Sequence, residues 1–240
     1  MVIWLAATYH FPSTYSCRYA MSSLASVQAV PTPGPGTIRL ALIRTAIEVF
    51  GIDYTRDMLF THIVAAKIAI RPPDRIAMTL QNLRVYKASE DIETRSTRYD
   101  ESIAYREVAQ ADGPMIIYIQ VPKAVYDHFR QLLLAIGYWG QANSFTQCLR
   151  VDFASPLSGE CAMPLRDVSA DTPVQHLVTG FVTEFRSSEV AWCDVVDTTV
   201  SRSHNLVLPE LYVWPLQLIE QHHDMRLMLR HSILKVPERE

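Results

Sequence analysis

Met115-Ile-Ile-Tyr-Ile-Gln-Val121, then Pro122, then Lys123-Ala-Val-Tyr-Asp-His-Phe-Arg-Gln-Leu-Leu-Leu-Ala-Ile136 and Gly137, reads as a strand, a turn and a helix in succession. The first seven residues are apolar at nearly every position and give the clearest strand signal in the chain. Pro122 takes a first-turn helix position, where its missing N–H costs no hydrogen bond. Val125, Phe129, Leu132, Leu133 and Ile136 then recur at i, i+4, i+7, i+8 and i+11, a single apolar stripe that predicts a helix stopped by Gly137. A further strand is expected from about Phe145 to Phe153.

Upstream, the apolar run Val2 to Thr8 predicts a first strand buried from its start, followed by a long polar loop with Ser13, Tyr15, Arg18 and Tyr19. Pro31-Thr-Pro-Gly-Pro-Gly36 forces a sharp turn into a helix from about Thr37 to Phe50, with Ile43, Ala46, Ile47 and Phe50 on one face and Gly51 at the C-cap. β-Branched residues from Leu59 to Ile70 predict a strand, and Arg71-Pro-Pro-Asp-Arg75 a turn into a second one from about Ile76 to Tyr86. Between Lys87 and Gly113 the chain is mixed in charge and nearly without core residues, as expected of a projecting hairpin tip or mobile loop. The resulting order β-α-β-(insertion)-β-α-β is that of a ferredoxin-like α+β core, the split βαβ arrangement also used by the RNA recognition motif. Residues 1–153 are expected to form this core, with a β-hairpin thumb inserted at about 71–113. Residues 154–240 are expected to form a small β-rich C-terminal extension, with strand-like pieces at Val178 to Phe185, Val190 to Val195 and Leu206 to Pro215.

Composition limits what such a chain does. With 240 residues, 49% hydrophobic and 20% charged, it is an ordinary globular protein rather than a disordered one. A formal charge of −3 confines any nucleic-acid site to a local patch. Of the 22 basic residues only Lys67, Lys87, Lys123 and Lys235 are lysines, an arginine bias that suits RNA contact and that a G+C-rich genome also produces. Cys17, Cys148, Cys161 and Cys193 include no C-x-x-C pair, so neither a disulfide framework nor a structural zinc is indicated, and a reduced, cytoplasmic setting is expected. The N-terminal apolar run ends after seven residues, too short for a signal peptide or membrane span.

No catalytic residue, metal site or cofactor is expected. His222, His223 and His231 with Asp224 lack a metal-ligand frame, Gly34-Pro35-Gly36 is neither a P-loop nor a dinucleotide fingerprint, and no G-x-S-x-G exists. Glu184 and Asp194 are a spacing that arises by chance. Metal-independent RNA cleavage needs only a base, an acid and a cation, roles that His10, Tyr9, Tyr15 and Arg18 could fill; the alternative is that these residues pack a loop or stack on bases.

Val30-Pro-Thr-Pro-Gly-Pro-Gly-Thr-Ile-Arg-Leu-Ala-Leu-Ile-Arg-Thr-Ala-Ile-Glu-Val-Phe-Gly51 resembles the proline turn and first helix of the Cas five family of CRISPR-associated proteins. Arg39 and Leu40 here replace part of the family's usual small residues. Ile136-Gly-Tyr-Trp-Gly-Gln-Ala-Asn-Ser-Phe145 is similar to that family's segment before the fourth strand, and Tyr212-Val-Trp-Pro-Leu-Gln-Leu218 to its late strand. The resemblance implies a non-catalytic subunit of a type I CRISPR effector complex (Cascade) that grips the 5′ handle of the crRNA and caps the backbone filament. Its implied partners are the crRNA, the backbone filament subunit and the large subunit, with target DNA met through the complex and no membrane. Tyr15, Arg18, Tyr19, Arg39 and Arg44 are then expected near the handle, with Gly140, Gln141, Asn143 and Ser144 as a turn beside it. Arg71, Arg75, Arg84, Lys87, Arg95 and Arg98 are the thumb candidates. The family's RNA-cutting members use Tyr, Lys and His, and this chain has no adjacent Lys-His pair in its middle region. The alternatives are a metal-independent endoribonuclease processing precursor crRNA and a ferredoxin-like interaction module with no RNA role.

Overall fold

In the computed structural model, the described residues are 1–20, 26–91, 96–140, 144–172, 177–185, 190–196, 207–222 and 225–230. The chain opens with β1 (Val2–His10), the short strands β2 (Cys17–Arg18), β3 (Ser26–Val27) and β4 (Ala29–Val30), and helix α1 (Pro35–Phe50). Next come α2 (Ile52–Tyr54), a π-helical turn and α3 (Phe60–Ala65), then β5 (Lys67–Arg71), β6 (Arg75–Asp91), β7 (Ser96–Asp112) and β8 (Met115–Pro122). Helix α4 (Tyr126–Ala135) leads to β9 (Gln147–Phe153), β10 (Met163–Pro164), β11 (Leu177–Phe185), α5 (Trp192–Val196), β12 (Val207–Gln221) and β13 (Met225–Arg230).

Two sheets organise these elements. The smaller has the order β5-β8-β1-β9 with every neighbour antiparallel, pairing Leu5 with Ile119 on one side and Phe153 on the other. Strand β8 is central and almost wholly buried, and α4 packs Phe129, Leu132 and Leu133 into the core, as the apolar stripe requires. The larger sheet runs β10-β12-β13-β6-β7-β3, with β11 beside β12. Strands β6 and β7 form one long hairpin registered from Arg75↔Asp112 to Asp91↔Ser96, so the expected projecting insertion is a paired hairpin. Its root is buried, through Ile76, Met78 and Ala109. The C-terminal strand β13 pairs with that root, Met225 opposite Thr79, and Trp214, Leu216 and Met228 share one core with β1, β8, α1 and α4.

Several local expectations are corrected. Leu59 to Ile70 is not one strand: α3 occupies Phe60–Ala65, because Leu59, Phe60, Ile63 and Val64 fall on one helical face and bury it, and β5 begins only at Lys67. Val190 to Val195 is not a strand either; α5 starts where the Ala191 N–H donates to Asp194 Oδ2 at 2.9 Å, and Trp192 meets Phe60 edge-on. Strand β12 runs on past Pro215 to Gln221, since that proline lies within the β11–β12 register shift, where no β11 partner calls on its missing N–H. Strand β1 is buried only from Leu5, with Val2 58% exposed.

The proline turn is interior. Residues 30–36 are all buried, and the Trp214 indole N–H donates to Thr32 Oγ1 at 2.8 Å. Thr32→Val leaves that indole donor buried and unpaired, an expected loss of about 1–3 kcal/mol. Thermal unfolding would read it as a drop of a few degrees in Tm, and an unchanged Tm would deny the hydrogen bond any structural weight.

Candidate nucleic-acid interface

The loop after β1 is a packed strap. Tyr15 exchanges both backbone hydrogen bonds with Ala109 of β7, at 2.8 and 2.7 Å, and β2 pairs with β4. The Ser16 N–H donates to Ser144 Oγ at 3.0 Å and the Ser16 hydroxyl to Glu107 O at 2.9 Å, so the turn after α4 and the hairpin root close on the strap from two sides. The Tyr19 N–H reaches Gln28 O and the Ala20 N–H reaches Phe181 O of β11. Glu107 ties the third side, accepting from the Ala29 N–H at 2.9 Å and from Arg226 Nε of β13 at 3.0 Å.

Among the residues expected to meet RNA, Arg18 is exposed on this strap and Tyr19 is half-buried, edge-on to Phe181. Arg44 of α1 stacks its guanidinium 3.6 Å from the centroid of Tyr138 and pairs with Glu48, and Gly140, at φ +69°, lies exposed beside Thr37. The turn after α4 thus meets the strap through Ser144 and α1 through Thr37 and Arg44.

Three members of the set are corrected. Tyr15 is 1% exposed, stacked on Phe11 with its hydroxyl donating to Pro31 O at 2.6 Å, and burial pushes its phenol well above the usual value. It offers no ring to a base. Ser144 is equally enclosed and serves the strap. Arg39 is drawn inward: it donates to Val64 O at 3.1 Å and Ala66 O at 2.9 Å and pairs with Glu184. It joins α1 to the α3–β5 junction and to β11 and presents no cation to solvent. Gln141 and Asn143 lie outside the described residues.

The thumb candidates divide. Arg71 belongs to β5 in the smaller sheet and pairs with Glu160 at 3.0 Å, which removes it from the hairpin. Arg75 stands at the hairpin root with Asp112. Arg84 and Lys87 lie in β6 and Arg98 in β7, with register partners Ile103, Asp100 and Ser89. Arg95 lies outside the described residues.

Of the endoribonuclease set, His10 and Arg18 are exposed and the two tyrosines are not. Tyr9 is fully buried with its hydroxyl on Leu133 O at 2.7 Å, and burial raises its phenol as it does that of Tyr15, so neither tyrosine trades a proton with a substrate. Among the described residues no group of three or more His, Cys, Asp or Glu is placed to hold a metal ion. His222 bonds Glu220 at 2.6 Å, while His223, Asp224 and His231 lie outside the described residues. No helix among the described residues is long and apolar enough to cross a membrane. Sequence reasoning missed Arg226, whose only signal was a place in an Arg- and His-rich end.

No family model matches the chain. The CRISPR-associated protein Cas5 of Archaeoglobus fulgidus is 34% identical over 94 residues, which are 38% of this chain and 41% of that protein. The chain thus spans about two-fifths of the curated relative it matches. A CRISPR protein from Archaeoglobus fulgidus superposes with a TM-score of 0.46 at 12% identity, over 95% of this chain and 92% of that one. A chain of a CRISPR RNA-guided surveillance complex gives 0.49 at 14% identity, over 89% of each. Both scores fall short of 0.5. Over those 94 residues the sequence is similar to that of a CRISPR-associated Cas5 protein, the family that the proline turn and first helix resemble.

Proposed function

We propose that this chain is a non-catalytic subunit of a type I CRISPR effector complex, which holds the 5′ handle of the crRNA and caps the backbone filament beside the large subunit. The observation that carries the reading is the convergence of the Arg18 strap, the Tyr138–Gly140 turn and the root of the long hairpin. That corner offers a cation, a half-buried aromatic ring and an exposed glycine turn to a single-stranded chain. The antiparallel order β5-β8-β1-β9, with α1 and α4 as crossovers, supports a ferredoxin-like core, and the Cas5 relative supports the assembly. Cys161 packs on Ala6 and Tyr118 on the smaller sheet's other face, which favours the strap over that face for RNA. The hairpin, with Arg84, Lys87 and Arg98 along it, acts as a thumb over the guide.

The test is co-expression with the genomic neighbours, recovery through a tag on this chain, and sequencing of the RNA that co-elutes. Uniform guides sharing one repeat-derived 5′ end are expected, and Arg18→Ala should lower RNA retention by roughly tenfold or more, as loss of a charge-assisted contact does. A chain that returns with its neighbours but free of RNA would end this reading.

A further inference from the structure

Two irregularities of the larger sheet lie close together. The β11–β12 register shifts between Leu177 and Val178, and the β12–β13 register between Leu218 and Glu220. Bulges bend a strand, re-aim its side chains and gather next to binding sites. Here they border an open cleft of about 370 Å³.

The lining has a definite chemistry. Leu177, Val178, Leu218 and Met228 make apolar walls, while Gln217, Gln221, Thr179 and Arg226 supply amides, a hydroxyl and a guanidinium. Among the described residues no carboxylate lines it, and the Arg226 charge is already answered by Glu107. Apolar walls fit the faces of a flat ring, and amides, each both donor and acceptor, fit an edge that carries both. A lone phosphate would leave the walls unused, and an aliphatic ligand the amides. The cleft also adjoins the strap: Thr179 is two residues from Phe181, about 7 Å along the strand, and Phe181 O accepts the Ala20 N–H.

We propose that this cleft is a base-reading subsite, which takes one unstacked nucleobase of single-stranded RNA and reads its edge with Gln217 and Gln221. It rests on the RNA-binding reading above and adds sequence selectivity to a grip otherwise made to phosphates.

The experiment is selection from a random pool of short single-stranded RNAs by the full chain, followed by sequencing. The unaltered chain should enrich one base at one position about tenfold, a discrimination ordinary for a good base contact. Thr179→Trp, which fills the cleft from an exposed position, and the double variant Gln217→Ala with Gln221→Ala should each flatten that preference. Both should keep total RNA retention within about threefold, because the phosphate contacts remain. Arg18→Ala should weaken binding to every sequence alike. A preference that survives in both cleft variants, or its absence from the unaltered chain, overturns the subsite and leaves the RNA reading standing. A chain that retains no RNA overturns both.

Discussion

Arg39→Ala is expected to lower the thermal midpoint by about 10 °C, from a loss of about 3–5 kcal/mol at about 2–4 °C per kcal/mol for a chain of this size. The arginine is nearly enclosed, and its removal strips Val64 O and Ala66 O of their donor and leaves Glu184 without its cation. Burial already holds the Glu184 carboxyl above the usual glutamate range, with Arg39 and the Phe185 N–H opposing the rise. A carboxyl raised in the folded state binds its proton more tightly than in the unfolded chain, so its contribution to stability falls as pH climbs from the unfolded value through the folded one. Without Arg39 the rise is larger and the fall steeper. The gap between the two proteins should therefore be greatest near pH 7 and shrink toward about pH 4. Thermal unfolding at the two pH values checks this; a gap that is constant or widens in acid would refute the ion-pair account.

Gly36→Val is expected to destabilise by about 3 kcal/mol, the upper end of what overpacking commonly costs. An added Cβ would lie 2.7 Å from Thr183 O and 3.0 Å from Thr183 C, both backbone atoms of β11 that cannot rotate away. Relief requires β11 to move, and β11 carries the Phe181 carbonyl that anchors the strap at Ala20. The variant should therefore lose RNA retention along with stability. Gly137→Ala is the matched comparison, since nothing lies within 4 Å of its Cβ position. It should leave Tm within a few degrees and RNA retention unchanged. Equal behaviour of the two variants would deny the close approach any importance.

Elements with strong local signals were legible in the sequence: β8 from its apolar run, α4 from its stripe and α1 from the proline turn that precedes it. Where tertiary packing chose between local options, the sequence was ambiguous. Residues 59–65 carry β-branched side chains that satisfy a strand, yet their spacing also buries one helical face, and the core on that side took the helix. The strap was misread as a polar loop because Tyr15 and Ser16 find partners at Ala109, Glu107 and Ser144, far away along the chain. Arg39 and Arg44 are close together in one helix, but only the structure reveals that one is turned toward buried carbonyls and the other lies on Tyr138. The cleft bordered by two register shifts was invisible for the same reason, as bulges belong to pairs of strands.

The insertion of β13 between β12 and β6 also bears on how the chain is made. Met225 pairs with Thr79, and the two are separated by about 150 residues. At a synthesis rate of about 5–20 residues per second, the β6 edge waits roughly 7–30 s for its partner strand. During that interval the hairpin leaves the ribosome with an open flank and with Ile76 and Met78 uncovered. Synonymous codons that slow or hasten translation between β6 and β13 would then change the yield of native protein without altering a single side chain.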